Sequence, residues 1–196
     1  MGLSLAGDKV SLRLRAMIFR RISPWLFAWW VLLAEGVPLM AVTIPVTQVT
    51  WSSTATGSDF FAGSNWQGGV APTSTQTGFF GSSTSGSIIV FGSGTVGGLQ
   101  FLSSASAFSF TSAPGAVLTI GSAGIADYSN LSQSLNIPLS FNSGTTLIQN
   151  FGTGTLSLGN SGNALSMLSG ASLQFTVAGK GSTVLQGSLS GTGTLT

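Results

Sequence analysis

Between Val42 and Thr196 the charged side chains are Asp59, Asp127 and Lys180, so acid, base or ion-pair chemistry there has to be built from these three. Glycoside hydrolysis ordinarily takes two carboxyl groups about 5 to 10 Å apart. In a stacked β-coil the stretch from Asp59 to Asp127 makes about three coils, which puts the two carboxyls roughly 15 Å apart. A Ser-Lys pair could draw on Lys180 and any of many serines. A lysine between Gly179 and Gly181, however, reads as a solvated loop charge that discourages edge pairing. Asp127, followed by Tyr128, Ser129 and Asn130, reads as an Asx-type turn. Calcium coils of the Gly-Gly-x-Gly-x-Asp kind are not present. The chain has no histidine, which removes the commonest general base and every Ser-His-Asp or Cys-His constellation. It has no cysteine either, so disulfides, thiolate metal sites and a Cys nucleophile are excluded. No catalytic, metal or cofactor site is expected.

The formal net charge is +2 and the isoelectric point about 9.7. Lys9, Arg13, Arg15, Arg20 and Arg21 supply five of the six basic residues, so the basicity belongs to the opening of the chain. From Val42 on, one lysine against two aspartates leaves a formal charge of −1. Phosphate binding needs several Lys or Arg to replace counterions, so nucleic acid is not a predicted partner. Leu, Ile, Val and Phe alternate with Ser and Thr through this body, which is the composition of a folded β surface solvated by hydroxyls and not of a disordered chain.

Residues 1–41 have the three parts of a secretory signal: a basic opening, an apolar stretch from Trp25 to Ala34, and small residues before a cleavage point after Ala41. As a helix the apolar stretch would span about 15 Å, half a hydrocarbon core. The competing reading is an uncleaved anchor extended through Val37 to Val46, against which Glu35, Pro38 and Pro45 argue. Export is predicted, with membrane contact only through the leader during that step.

Residues 42–93 are the least regular part and are expected to form an N-terminal capping segment. There Asp59, Phe60, Phe61, Asn65 and Trp66 stand among Gly and Pro turn residues. A stacked coil has an open end whose apolar interior must be covered, and an atypical aromatic first segment suits that task. The functional alternative is an aromatic platform for a sugar ring, with Trp66, Phe60, Phe61 and Asn65 as the contact residues.

Residues 94–196 are expected to hold the repeats. Four apolar-x-apolar couplets recur at nineteen-residue intervals: Leu99 and Phe101, Leu118 and Ile120, Ile137 and Leu139, Leu156 and Leu158. Leu173 and Phe175 come slightly early, and a further couplet opens at Leu195. Short strands are predicted at Ile88–Phe91, Leu99–Leu102, Phe108–Phe110, Val117–Ile120, Ile137–Phe141, Thr145–Ile148, Thr155–Leu158, Leu165–Leu168, Ser172–Val177 and Thr183–Leu185. Gly121, Gly144, Gly159 and Gly179 fall where corners need positive φ. The expected fold is all-β, a parallel β-helix or β-solenoid with coils of about nineteen residues. Roughly five coils would rise about 25 Å. Thr196 falls inside a coil, which predicts an incomplete C-terminal end.

Ser64-Asn65-Trp66-Gln67-Gly68-Gly69 with Pro72 beyond, and the Gly-Thr-Gly-Thr-Leu units at 152–156 and 191–195, resemble the autotransporter-associated β-strand repeat of bacterial autotransporter passengers and other exported repeat proteins. The second unit follows the first by close to two of the couplet intervals. The stretch after Gly159 departs from the family's Asn-x-Tyr-x-Gly continuation. The resemblance implies a right-handed β-helical passenger on the outside of a bacterial cell, with partners such as a host or environmental surface, a glycan or other repeat proteins. The predicted function is thus a non-enzymatic surface stalk or adhesin fragment. The alternatives are the N-terminal piece of a polysaccharide-active β-helix enzyme, or a truncated product without a function of its own.

Overall fold

The computed structural model describes residues 48–196. The expected signal segment, residues 1–41, lies outside the described residues. Among the described residues no helix is long and apolar enough to cross a membrane.

Fifteen short strands carry the fold: β1 (Val49–Thr50), β2 (Thr77–Phe80), β3 (Ser87–Val90), β4 (Gly94–Phe101), β5 (Ser109–Ser112), β6 (Leu118–Asp127), β7 (Gln133–Leu135), β8 (Leu139–Phe141), β9 (Gly144–Asn150), β10 (Thr155–Leu158), β11 (Leu165–Met167), β12 (Ala171–Val177), β13 (Ser182–Leu185), β14 (Leu189–Gly191) and β15 (Thr194–Leu195). The one helical turn described is a 3-10 turn at Gly63–Asn65. Every strand-to-strand pairing is parallel and joins strands of successive circuits. The result is a β-solenoid of about five turns.

Each circuit visits three faces. One is formed by the openings of β4 and β6 followed by β8, β11 and β14. The second runs from β1 and β2 through the ends of β4 and β6 to β9, β12 and β15. The third is β3, β5, β7, β10 and β13. The first two faces share one sheet because β4 and β6 run through the bend between them, and the register shift between Val96 and Gly98 marks that bend.

Alternation along each strand sends one row of side chains inward, and parallel register stacks these rows like on like. Leu118, Leu139, Leu165 and Leu189 form one column. Ile88, Phe110, Leu135, Leu158 and Leu185 form another. Each fully closed Leu, Ile or Phe contributes about 1.5–3 kcal/mol of burial. The interior is aromatic in the early coils and aliphatic in the later ones. Phe80 stacks on Phe101 with centroids 5.1 Å apart and meets Phe108 and Phe110 edge-on at 5.2 and 5.5 Å.

The nineteen-residue interval is not the coil length. Thr77 pairs with Gly98 and Gly144 with Ala171, and from β2 onward every register partner lies further along the chain than one couplet interval. Leu99 partners Ile125 and not Leu118, while Leu156 lies on a different face from Leu118. The couplets fall on every second strand, β4, β6, β8 and β10, and each interval falls short of a full circuit, so successive couplets drift in phase around the three faces. The stack also begins before Gly94, since β2 and β3 already pair in register with the strands that follow. Of the four glycines expected at positive φ, Gly144 (φ 94°) and Gly159 (φ 73°) adopt it. Gly121 and Gly179 do not. At Gly179 a Cβ would collide with the Gly152 carbonyl, so close approach of neighbouring coils, not φ, demands glycine there.

Candidate functional site

The aromatic residues Trp51, Phe60 and Trp66 pack inside the first described coil. Trp51 and Trp66 bridge each other's backbones and cross edge to face, with ring centroids 5.2 Å apart. Phe60 meets Trp66 in the same way at 5.3 Å, and the Trp66 indole donates to the Phe60 carbonyl at 2.7 Å. Asn65 ties the loop from inside: its Nδ2 donates to the Asp59 carbonyl at 2.9 Å and its Oδ1 accepts from Gly57 N at 3.2 Å. Phe60, Trp66 and Asn65 are closed off from solvent at 0%, 2% and 2% exposure. Phe61 is half-buried over Gly94, where any Cβ would strike its ring. A sugar platform needs an open ring face, so ligand contact through Phe60, Trp66 or Asn65 does not fit their burial. The same bonds and burial suit the covering of an apolar end.

The three charged residues do not assemble. Asp59 bridges Ile89 in the first coil, and its Oδ1 accepts from Phe61 N at 3.0 Å. Asp127 ends β6 and pairs with Asn150 in the next coil, which pairs with Val177 in the one after. Lys180 lies just beyond Val177 and is exposed. Among the described residues no group of three His, Cys, Asp or Glu could hold a metal ion.

Asp127 sits in the tightest polar corner. It is fully buried, and its Oδ1 accepts from Ser129 N at 2.8 Å, the expected Asx turn, and contacts Ser129 Oγ at 2.7 Å. Its Oδ2 is buried with no partner. Burial pushes the carboxyl above its ordinary value, and the bonds from Ser129 offset part of that rise. One coil on, Asn150 repeats the turn: its Oδ1 accepts from Gly152 N at 3.0 Å, and its Nδ2 donates to the carbonyls of Gly154 and Ser182 at 3.0 and 2.9 Å.

Outside this corner lies a surface feature that the couplet reading passes over. Tyr128 and Phe151 stack with centroids 4.9 Å apart and planes 18° from parallel. Tyr128 is 42% exposed, and Leu131 beside it is 50% exposed. Thr153 Oγ1 donates to Asn130 Oδ1 at 3.1 Å along the same corner. The signal in the sequence was the step from Tyr128 to Phe151, which equals the step that carries Asp127 to Asn150.

Comparison with protein-family models, curated proteins and solved structures finds no match to this chain.

Proposed function

We propose that this chain is an exported, non-enzymatic repeat scaffold that serves as a β-helical stalk or adhesive surface on the outside of a bacterial envelope. The observation that carries the reading is the solenoid itself: its described coils are built from Leu, Ile, Phe, Ser, Thr and Gly, and its three charged side chains do not meet. The basic leader with its short apolar stretch supports export, and the Ser64–Gly69 and Gly-Thr-Gly-Thr-Leu segments support kinship with the autotransporter-associated repeat. Contact with a glycan, a host or environmental surface, or another repeat protein would be weak and multivalent, spread over hydroxyl-rich faces and the Tyr128–Phe151 ridge.

Expression of the full chain with an epitope tag after Thr196 in a bacterial host tests the first half of the proposal. The tag should appear outside the cytoplasm, with a processed N-terminus at Val42, and cytoplasmic retention of an unprocessed chain would overturn export. The exported chain is then applied to glycan arrays and polysaccharide suspensions. Retention without new reducing ends is expected, weakened when Tyr128 and Phe151 are both replaced by Ser. Release of reducing ends would overturn the non-enzymatic reading.

A further inference from the structure

Ser129 Oγ has three polar neighbours within hydrogen-bond distance: Asp127 Oδ1 at 2.7 Å, the Leu131 carbonyl at 2.8 Å and Gln133 Nε2 at 2.9 Å. The orientation of the Gln133 amide is fixed, because its Oε1 accepts from Phe108 N at 2.9 Å, so Nε2 is the donor toward Ser129. The hydroxyl therefore lies between two oxygens that only accept when Asp127 is ionised, and it owns one hydrogen. Two short oxygen–oxygen contacts need two hydrogens. Ser129 supplies one, and the nearest other donor, Gln133 Nε2, stands to the side of the Ser129–Leu131 contact, 2.9 Å from one oxygen and 3.1 Å from the other.

The geometry points to Asp127 as the source of the second: we infer that the Asp127 carboxyl is a buried proton-binding site, neutral in the folded coil, with its proton directed from Oδ1 to Ser129 Oγ. Ser129 then donates to the Leu131 carbonyl. The Gln133 amide donates to Ser129 Oγ and to the Ser106 carbonyl at 3.1 Å, and it also lies 3.1 Å from the Leu131 carbonyl. The partnerless Oδ2 fits the same assignment. A buried carboxylate oxygen without a donor is costly, and the cost is smaller for the carbonyl oxygen of a neutral acid, which carries no formal charge. The proton is taken from solvent on folding and returned when Asp127 ionises. The elements packed on Asp127 present no cation to it: β4 offers Phe101 and β9 offers Asn150 in register, and β7 offers Gln133. Of the other titratable groups among the described residues, Tyr128 turns its ring outward onto Phe151, Asp59 accepts from Phe61, and Lys180 is exposed.

The raised carboxyl fixes the sign of the pH effect. A folded state that holds the proton more tightly than the unfolded chain gains stability that is fully present below the unfolded value near about 3.9, and loses it as pH rises through the folded value. Thermal melts of the full chain and of its Asp127→Asn variant, run from about pH 4 to about pH 8, read this directly. The melting point of the variant should gain on the wild type with rising pH, by at least about 3 °C over the range. A gap that is flat or shrinks with pH would overturn the assignment, since an ordinary ionised Asx turn has the opposite slope. Carboxyl-carbon NMR of the wild-type chain labelled at aspartate keeps the test independent of the variant's folding. One of the three aspartate signals, from Asp8, Asp59 and Asp127, should titrate well above the usual carboxyl range, and three ordinary titrations would sink the proposal.

Discussion

Gly152 and Gly92 separate two reasons for which a residue is small. A Cβ on Gly152 would run into the Ser129 carbonyl of the coil beneath, whereas one on Gly92 would meet nothing within 4 Å. Gly152→Ala is therefore expected to lower stability by about 1–3 kcal/mol, as overpacking does, and Gly92→Ala to stay within about 0.5 kcal/mol of the wild type. Paired urea denaturation curves check both, and equal midpoints would contradict the contact. At this scale the sequence was readable in part. The Asx turn at Asp127 follows from the order of Asp, Ser and Asn, and the structure has it. The hydroxyl relay to Gln133 was not readable, because it joins a turn to a strand whose inward polar residue gives no apolar signal.

Trp66 carries two roles within the first coil. Its indole donates to the Phe60 carbonyl, and its rings cover Trp51 and Phe60. Trp66→Ala should free the first coil while leaving later coils paired. Hydrogen exchange is expected to accelerate at Thr50, Trp51 and Gln67 with β7 and β10 unchanged, and uniform acceleration along the chain would show that the cap governs the whole stack. Strands with two or more apolar residues at alternate positions were legible, including β3, β10 and β12. β2 and β7 were not: Gly78 and Gln133 break the pattern, and burial in both cases comes from the coils above and below. Long strands β4 and β6 read as shorter ones because the bend within each looks like a turn in sequence.

In the whole molecule, the circuit length is what the couplets concealed. They mark every second strand, while pairing partners report how often the chain returns to the same face. Excision of residues 126–148, one circuit by the pairing of Ile125 with Ile148, should leave a β-rich, cooperatively melting protein, because each coil contacts only its neighbours. Excision of residues 126–144, which would preserve the nineteen-residue interval, should rotate every later strand onto a wrong face and abolish cooperative melting in far-UV circular dichroism. Similar melts from the two deletions would undo the assignment of circuit length. The all-parallel pairing also shapes how the protein forms. From β2 onward no rung of the stack closes over a shorter stretch of chain than the one from Thr77 to Gly98, and pairing at such separations is slow. The phenylalanine group around Phe80 offers one apolar surface on which a circuit can settle, and each completed circuit is a template for its neighbours on both sides. Because each circuit contacts only its neighbours, pairing can start at any circuit and spread in both directions along the chain.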